Sequence, residues 1–119
     1  MVLLAELLPH MDHGTVLGIS GTFEDGASGW LPYYTSKRAL EDFLMGLSQD
    51  TPNVKVYGIS PSDTATTAYD KFYPEYANQS QPPEAVADLV LLLLHGDHQY
   101  KSGDIIELKR GHRRVAFHA

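Results

Sequence analysis

The chain has 119 residues, 43% of them hydrophobic and 20% charged, with a formal charge of -6 and no cysteine. That composition describes one modest soluble globular domain and excludes a disordered or fibrous chain, a disulfide framework and a thiolate metal site. The acidic balance argues against a large nucleic-acid surface, which needs clustered lysine and arginine, and leaves small molecules or proteins as the expected partners.

Residues 1 to about 11 read as the tail of a helix that ends between Pro9 and Gly14. The run has no basic leader or small-residue cleavage site and carries Glu6, so it is not a signal peptide. Thr15 to Ser20 is a short, nearly continuous apolar run of the kind found in a parallel strand buried on both faces. Gly21 to Leu31 reads as loop. From Pro32 to about Gln49, Ala39, Leu40, Phe43, Leu44 and Leu47 recur at helical spacing, with Arg38, Glu41 and Asp42 between them and a proline suited to the first turn. Asn53 to Ser60 predicts a second strand through Val54, Val56, Tyr57 and Ile59, stopped by Pro61.

A polar loop follows through Asp63, Thr64, Thr66 and Thr67, and the tyrosine-rich stretch Ala68 to Ala77 predicts a short helix. Its tyrosines, Tyr69, Tyr73 and Tyr76, fit either a packing face or a substrate lid. Asn78 to Pro83 is a polar connector, and Pro83 to Leu94 predicts a helix with Glu84 in its first turn. Its run Leu89 to Leu94 is far below the roughly 20 residues that cross a bilayer, so no membrane span and a cytoplasmic location are expected. Gly103 to Lys109 predicts a third strand, and 111–119 a basic tail. The cluster Arg110, His112, Arg113 and Arg114 reads as a solvated tail or a subunit contact. The pairs His10/His13 and His95/His98 lack a third ligand, so no metal site is expected.

Alternation of helix and strand implies parallel strands joined by right-handed crossovers, part of a doubly wound α/β sheet. Ligands of such sheets collect outside the carboxyl ends of the strands, where Ser20, Pro61 and the start of the helix at Pro32 all fall. That helix opens with Tyr33-Tyr34-Thr35-Ser36-Lys37, and residues four apart share a helix face, so Tyr33 and Lys37 can point into the crevice beside Ser20. A phenol, an ammonium and a hydroxyl form a proton-transfer set. Ser20 would polarise a substrate carbonyl or alcohol, Tyr33 would pass the proton and Lys37 would favour the phenolate. No group here accepts a hydride; a nicotinamide cofactor would do so.

With these residues in place the chain resembles the C-terminal half of a short-chain dehydrogenase/reductase, over residues 1 to about 110. The family pattern of a strand-end serine, a Tyr-x-x-x-Lys helix start and a later Pro-Gly loop is met in order by Ser20, by Tyr33 with Lys37, and by Pro61-Ser62-Asp63-Thr64-Ala65-Thr66. Ser62 stands where the family has glycine. The resemblance implies a Rossmann-like doubly wound parallel sheet and an NAD(P)-dependent oxidoreductase interconverting a carbonyl and a secondary alcohol. Ser20, Tyr33 and Lys37 would be catalytic. Tyr33, Lys37, Pro61, Ser62, Thr64 and Thr66 would hold NAD or NADP, with Lys37 on the nicotinamide ribose.

The family's Gly-rich phosphate turn and relay asparagine are absent, so the chain is expected to be an incomplete and inactive part of such an enzyme. Its first strand would then expose an edge built for a neighbour. The resemblance also implies a homo-oligomer, a dimer or tetramer, that pairs the helices at 1 to 11 and 32 to 49. Two other readings stay open: a truncated, non-catalytic module acting in subunit association, and a nucleotide-sugar epimerase or dehydratase of the family's extended branch.

Overall fold

The computed structural model describes residues 2–21, 29–62, 81–110 and 112–116. In chain order they form helix α1 (Val2–Leu7) with a 3-10 turn at Leu8–His10, strand β1 (Gly14–Ile19), helix α2 (Leu31–Asp50), strand β2 (Val54–Pro61), helix α3 (Pro83–His95) and strands β3 (Ile105–Lys109) and β4 (His112–Val115). The predicted short helix at Ala68 to Ala77, with Tyr69, Tyr73 and Tyr76, lies outside the described residues.

The sheet order is β1-β2-β3-β4, parallel across the first three strands and antiparallel at the last pair. Side chains alternate across a strand, so β2 sends Val54 and Val56 to one face and Tyr57 and Ile59 to the other. On the first face Leu44 of α2 packs with Val54, Val56 and Ile105, and on the second Leu89 and Leu93 of α3 pack with Tyr57, Ile59, Ile106 and Leu108. The result is three layers, helix over sheet over helix, with β2 and β3 buried between them.

The residues that seat α2 on the sheet are glycines. Gly18 and Gly58 face each other in the register of β1 and β2. A Cβ built at Gly18 would lie 2.5 Å from Leu44 Cδ1, and one at Gly58 would lie 2.5 Å from Ile105 Cδ1 and 3.3 Å from Leu44 Cδ1. Leu44 thus occupies the space these side chains lack.

Two expectations change. β1 is the edge of the described sheet, as expected of a first strand without its neighbour, but it is not buried on both faces: its residues are half-buried and Ile19 is 42% exposed. The apolar run was legible, but burial depends on neighbours that sequence does not display. The expected basic tail begins with a strand: β4 pairs Glu107 with Arg114 and Ile106 with Val115, and Arg114 Nη2 lies 2.7 Å from Glu107 Oε2. The turn before it holds Arg110 at φ 50°.

Candidate active site

The β1–β2 ladder runs one residue past the strand, because the Ser20 N–H donates to Ile59 O at 2.8 Å. Ser20 is thereby fixed at the carboxyl end of β1. Helix α2 starts beyond the following loop with Pro32 in its first turn, where a missing N–H is harmless, and the Tyr34 N–H closes that turn on Trp30 O at 2.9 Å.

Nearly two turns into α2, Lys37 reaches back to the strand. Its Nζ donates to Ile19 O at 3.3 Å and stands 5.3 Å from the centroid of the Tyr33 ring. A single ammonium therefore ties the helix start to the end of β1 and places a positive charge over the phenol's ring. Tyr33 is 48% exposed, with Trp30 edge-on to it at 6.2 Å between centroids. Tyr33 and Lys37 are brought together as the i, i+4 spacing requires, beside the residue that precedes Ser20.

Ser20 itself is buried, and its hydroxyl donates to Glu41 Oε2, with Ile59 O a second acceptor at 3.4 Å. Sequence reasoning aimed this hydroxyl into the crevice; in the structure its proton serves the helix. Glu41 is 1% exposed, and its other oxygen, Oε1, accepts from Arg38 Nη1 at 2.8 Å. Arg38 Nε donates to the Tyr34 hydroxyl at 3.1 Å, and the guanidinium lies 5.2 Å from that ring's centroid. Burial works against the Arg38 charge, yet its hydrogen bond to the Tyr34 hydroxyl and the charge of Glu41 outweigh it and hold the guanidinium pKa above its ordinary value.

The sequence reading passed over Glu41 as one of the polar residues between apolar ones. A signal was present: Glu41 stands three residues after Arg38 and four after Lys37, between the inward-facing Leu40 and Leu44. A carboxylate on that face needs a cation and a donor, and here it has both.

At the carboxyl end of β2, Pro61 pairs with Leu108 and the Ser62 N–H donates to Leu108 O at 2.9 Å. Gln81, 1% exposed, returns the chain to this point: Nε2 donates to Leu108 O at 2.9 Å and to Ser62 Oγ at 3.2 Å. Sequence reasoning left Gln81 in the polar connector, because nothing local marks a buried amide. Pro61 thus ends the strand that neighbours β1 and Ser62 follows it, whereas Thr64 and Thr66 fall outside the described residues. Among the described residues, no three or more His, Asp or Glu gather as metal ligands, and no helix is long and apolar enough to cross a membrane.

No protein-family model and no curated protein sequence matches the chain. Solved structures do. An oxidoreductase from Escherichia coli aligns at 26% identity and a TM-score of 0.73, over 88% of this chain and 46% of its own. A protein assigned as a short-chain dehydrogenase from Shigella flexneri, solved with NADP, aligns at 26% identity and 0.70, over 87% and 45%. A hydroxysteroid dehydrogenase from Escherichia coli has the same fold at 22% identity and 0.73, over 92% and 50%. The chain spans about half the length of these solved chains. Four strands in this order, flanked by helices on both faces, thus share the fold of about half of a short-chain dehydrogenase/reductase.

Proposed function

We propose that the chain supplies the proton-transfer half of an NAD(P)-dependent oxidoreductase that interconverts a carbonyl and a secondary alcohol. The observation that carries this reading is the Tyr33–Lys37 pair at the carboxyl end of β1, with the ammonium fixed between Ile19 O and the phenol's ring. In this reading Tyr33 gives a proton to the substrate oxygen or takes one from it, and Lys37 holds a positive charge beside the ring. Ser20 orients the substrate oxygen. The hydride is the contribution of a nicotinamide cofactor when one is bound.

The residues present fit its nicotinamide end. An exposed phenol and a cation stand together at the carboxyl edge of the sheet, where ligands of this architecture collect. Tyr33, Lys37, Pro61, Ser62, Thr64 and Thr66 would hold it. The Ser62 N–H is committed to Leu108 O, so hydrogen bonds from this loop to a cofactor would come from other groups. Subunit association through α1 and α2 belongs to the same proposal, since Leu3, Leu7 and Phe43 are exposed on those helices.

The test is turnover of carbonyl compounds with NADH or NADPH, followed by reduced-nicotinamide absorbance, in a polypeptide that carries the whole fold. Tyr33→Phe is expected to lower turnover by about a hundredfold or more, the usual worth of a positioned acid–base group, while cofactor binding persists. Undiminished turnover would overturn the assignment.

A further inference from the structure

Trp30 stands at the N-cap of α2, a position that favours serine, threonine, aspartate or asparagine because their side chains accept from the unsatisfied N–H groups of the first turn. Its indole makes no capping hydrogen bond, and at 47% exposure it is not a core residue either. Neither helix stability nor burial accounts for the chain's only tryptophan. Its surroundings do. Trp30, Tyr33 and Lys37 stand at i, i+3 and i+7, one stripe from the N-cap into the second turn of α2. Helical side chains lean toward the N-terminus, so Lys37 stands over the Tyr33 ring at 5.3 Å, and that ring meets the indole at 71° with 6.2 Å between centroids. The stripe is charged where Lys37 reaches β1 and apolar at its outer end, where the exposed Leu31 adjoins Trp30.

We propose that Trp30 is a specificity-determining residue, a wall that takes the apolar, preferably aryl, substituent of a secondary alcohol or ketone whose oxygen meets the Tyr33 hydroxyl. The proposal rests on the oxidoreductase reading and names its substrate class. A ligand oxygen at Tyr33 leaves its apolar carbon substituent on the Trp30 side, because the other side carries an ammonium that such a group would strip of water. There an aryl group meets an indole, and aromatic pairing is worth about two- to tenfold in affinity beyond the area it buries. A sugar would bring its hydroxyls to a ring system that offers one N–H and no acceptor.

The experiment uses the 119-residue chain, isotope-labelled for NMR, in which Trp30 gives the only indole N–H signal. The probes are α-methylbenzyl alcohol and isopropanol, which differ by a phenyl in place of a methyl. The aryl alcohol is expected to shift the indole signal and the Tyr33 ring signals along one binding curve, and to bind about tenfold or more tighter than isopropanol. Tyr33→Phe assigns the ring signals by their loss. Trp30→Phe is expected to keep the preference, and Trp30→Ala, read at the Tyr33 ring, to lose it with isopropanol binding unchanged. A merely structural role for Trp30 would weaken both alcohols alike. Should Trp30→Ala not fold, Trp30→Ser removes the indole while supplying a capping hydroxyl.

An indole signal that the aryl alcohol leaves in place, or equal binding of the two alcohols, overturns the proposal, and so does a preference that survives loss of the indole. The two readings fail separately. Turnover that survives Tyr33→Phe removes the oxidoreductase and leaves the joint response of Trp30 and Tyr33 measurable, whereas Tyr33-dependent turnover without an indole response removes this proposal alone.

Discussion

The glycine pair beneath Leu44 makes a quantitative prediction about what holds α2, and with it Tyr33, Lys37 and Glu41, at its height above the sheet. A Cβ at Gly18 would stand 2.5 Å from Leu44 Cδ1 and 3.2 Å from Cδ2, whereas carbon atoms prefer about 3.5–4.0 Å. Leu44 must therefore retreat by roughly 1 Å against Val54, Val56 and Ile105, the buried residues of its cluster. Such overpacking costs about 1–3 kcal/mol, and the lost backbone freedom of the unfolded chain returns about 0.5–1, so Gly18→Ala is expected to destabilise by about 1–2 kcal/mol. Leu44→Ala alone leaves a cavity and is expected to cost about 3 kcal/mol.

The double variant should cost about 2–3 kcal/mol, well below the sum, because the new methyl enters the vacated space and the clash is gone. Gly58→Ala is the internal control: its main collision is with Ile105 Cδ1, which Leu44→Ala does not relieve. Equilibrium urea unfolding of the four proteins measures the cycle. Additivity of Gly18→Ala and Leu44→Ala to within about 0.5 kcal/mol would refute the reasoning.

Other perturbations follow from the same geometry. Arg38→Met strips the cation from a buried carboxylate and should cost about 3 kcal/mol in chemical denaturation; a change below about 1 would mean that Glu41 is not held as described. At Gln81, glutamate should destabilise more than alanine, because it sets carboxylate oxygens against Leu108 O and Ser62 where the amide had donated; the opposite order of melting temperatures would reject the amide clamp. Burial, helped by the negative charge of Asp104, raises the Tyr57 pKa above the ordinary tyrosine value. The folded state then holds the proton more tightly than the unfolded state. The stability linked to Tyr57 is therefore fully present below about pH 10 and lost as pH rises from there through the folded pKa. Tyr57→Phe should flatten that alkaline decline in melting temperature relative to the native chain, and parallel curves would contradict it.

Much of this fold was legible because the features that set it are periodic side chains. Leu40, Leu44 and Leu47 at helical spacing gave α2 to within a residue at each end, and the apolar runs around Val16 and Val56 gave two parallel strands in the right order. The Tyr33–Lys37 pair was legible for the same reason, since four residues along a helix is a distance. What escaped depends on partners remote in sequence. His112–Val115 has no apolar alternation, and it is a strand because its backbone pairs with β3 and Arg114 meets Glu107. Glu41 looked like a solvated charge until Ser20, from another element, stood against it. Gln81 looked like a connector until β3 arrived beneath its amide.

The knot of hydrogen bonds that joins Ser62, Gln81 and Leu108 also bears on how such a chain can diverge. It brings the two ends of the segment 63–80 to one point on the sheet, whatever path the segment takes between them. A relative that keeps the Gln81 amide therefore keeps both Ser62 and the start of α3 on the same carbonyl of β3, and one that loses it releases the two together.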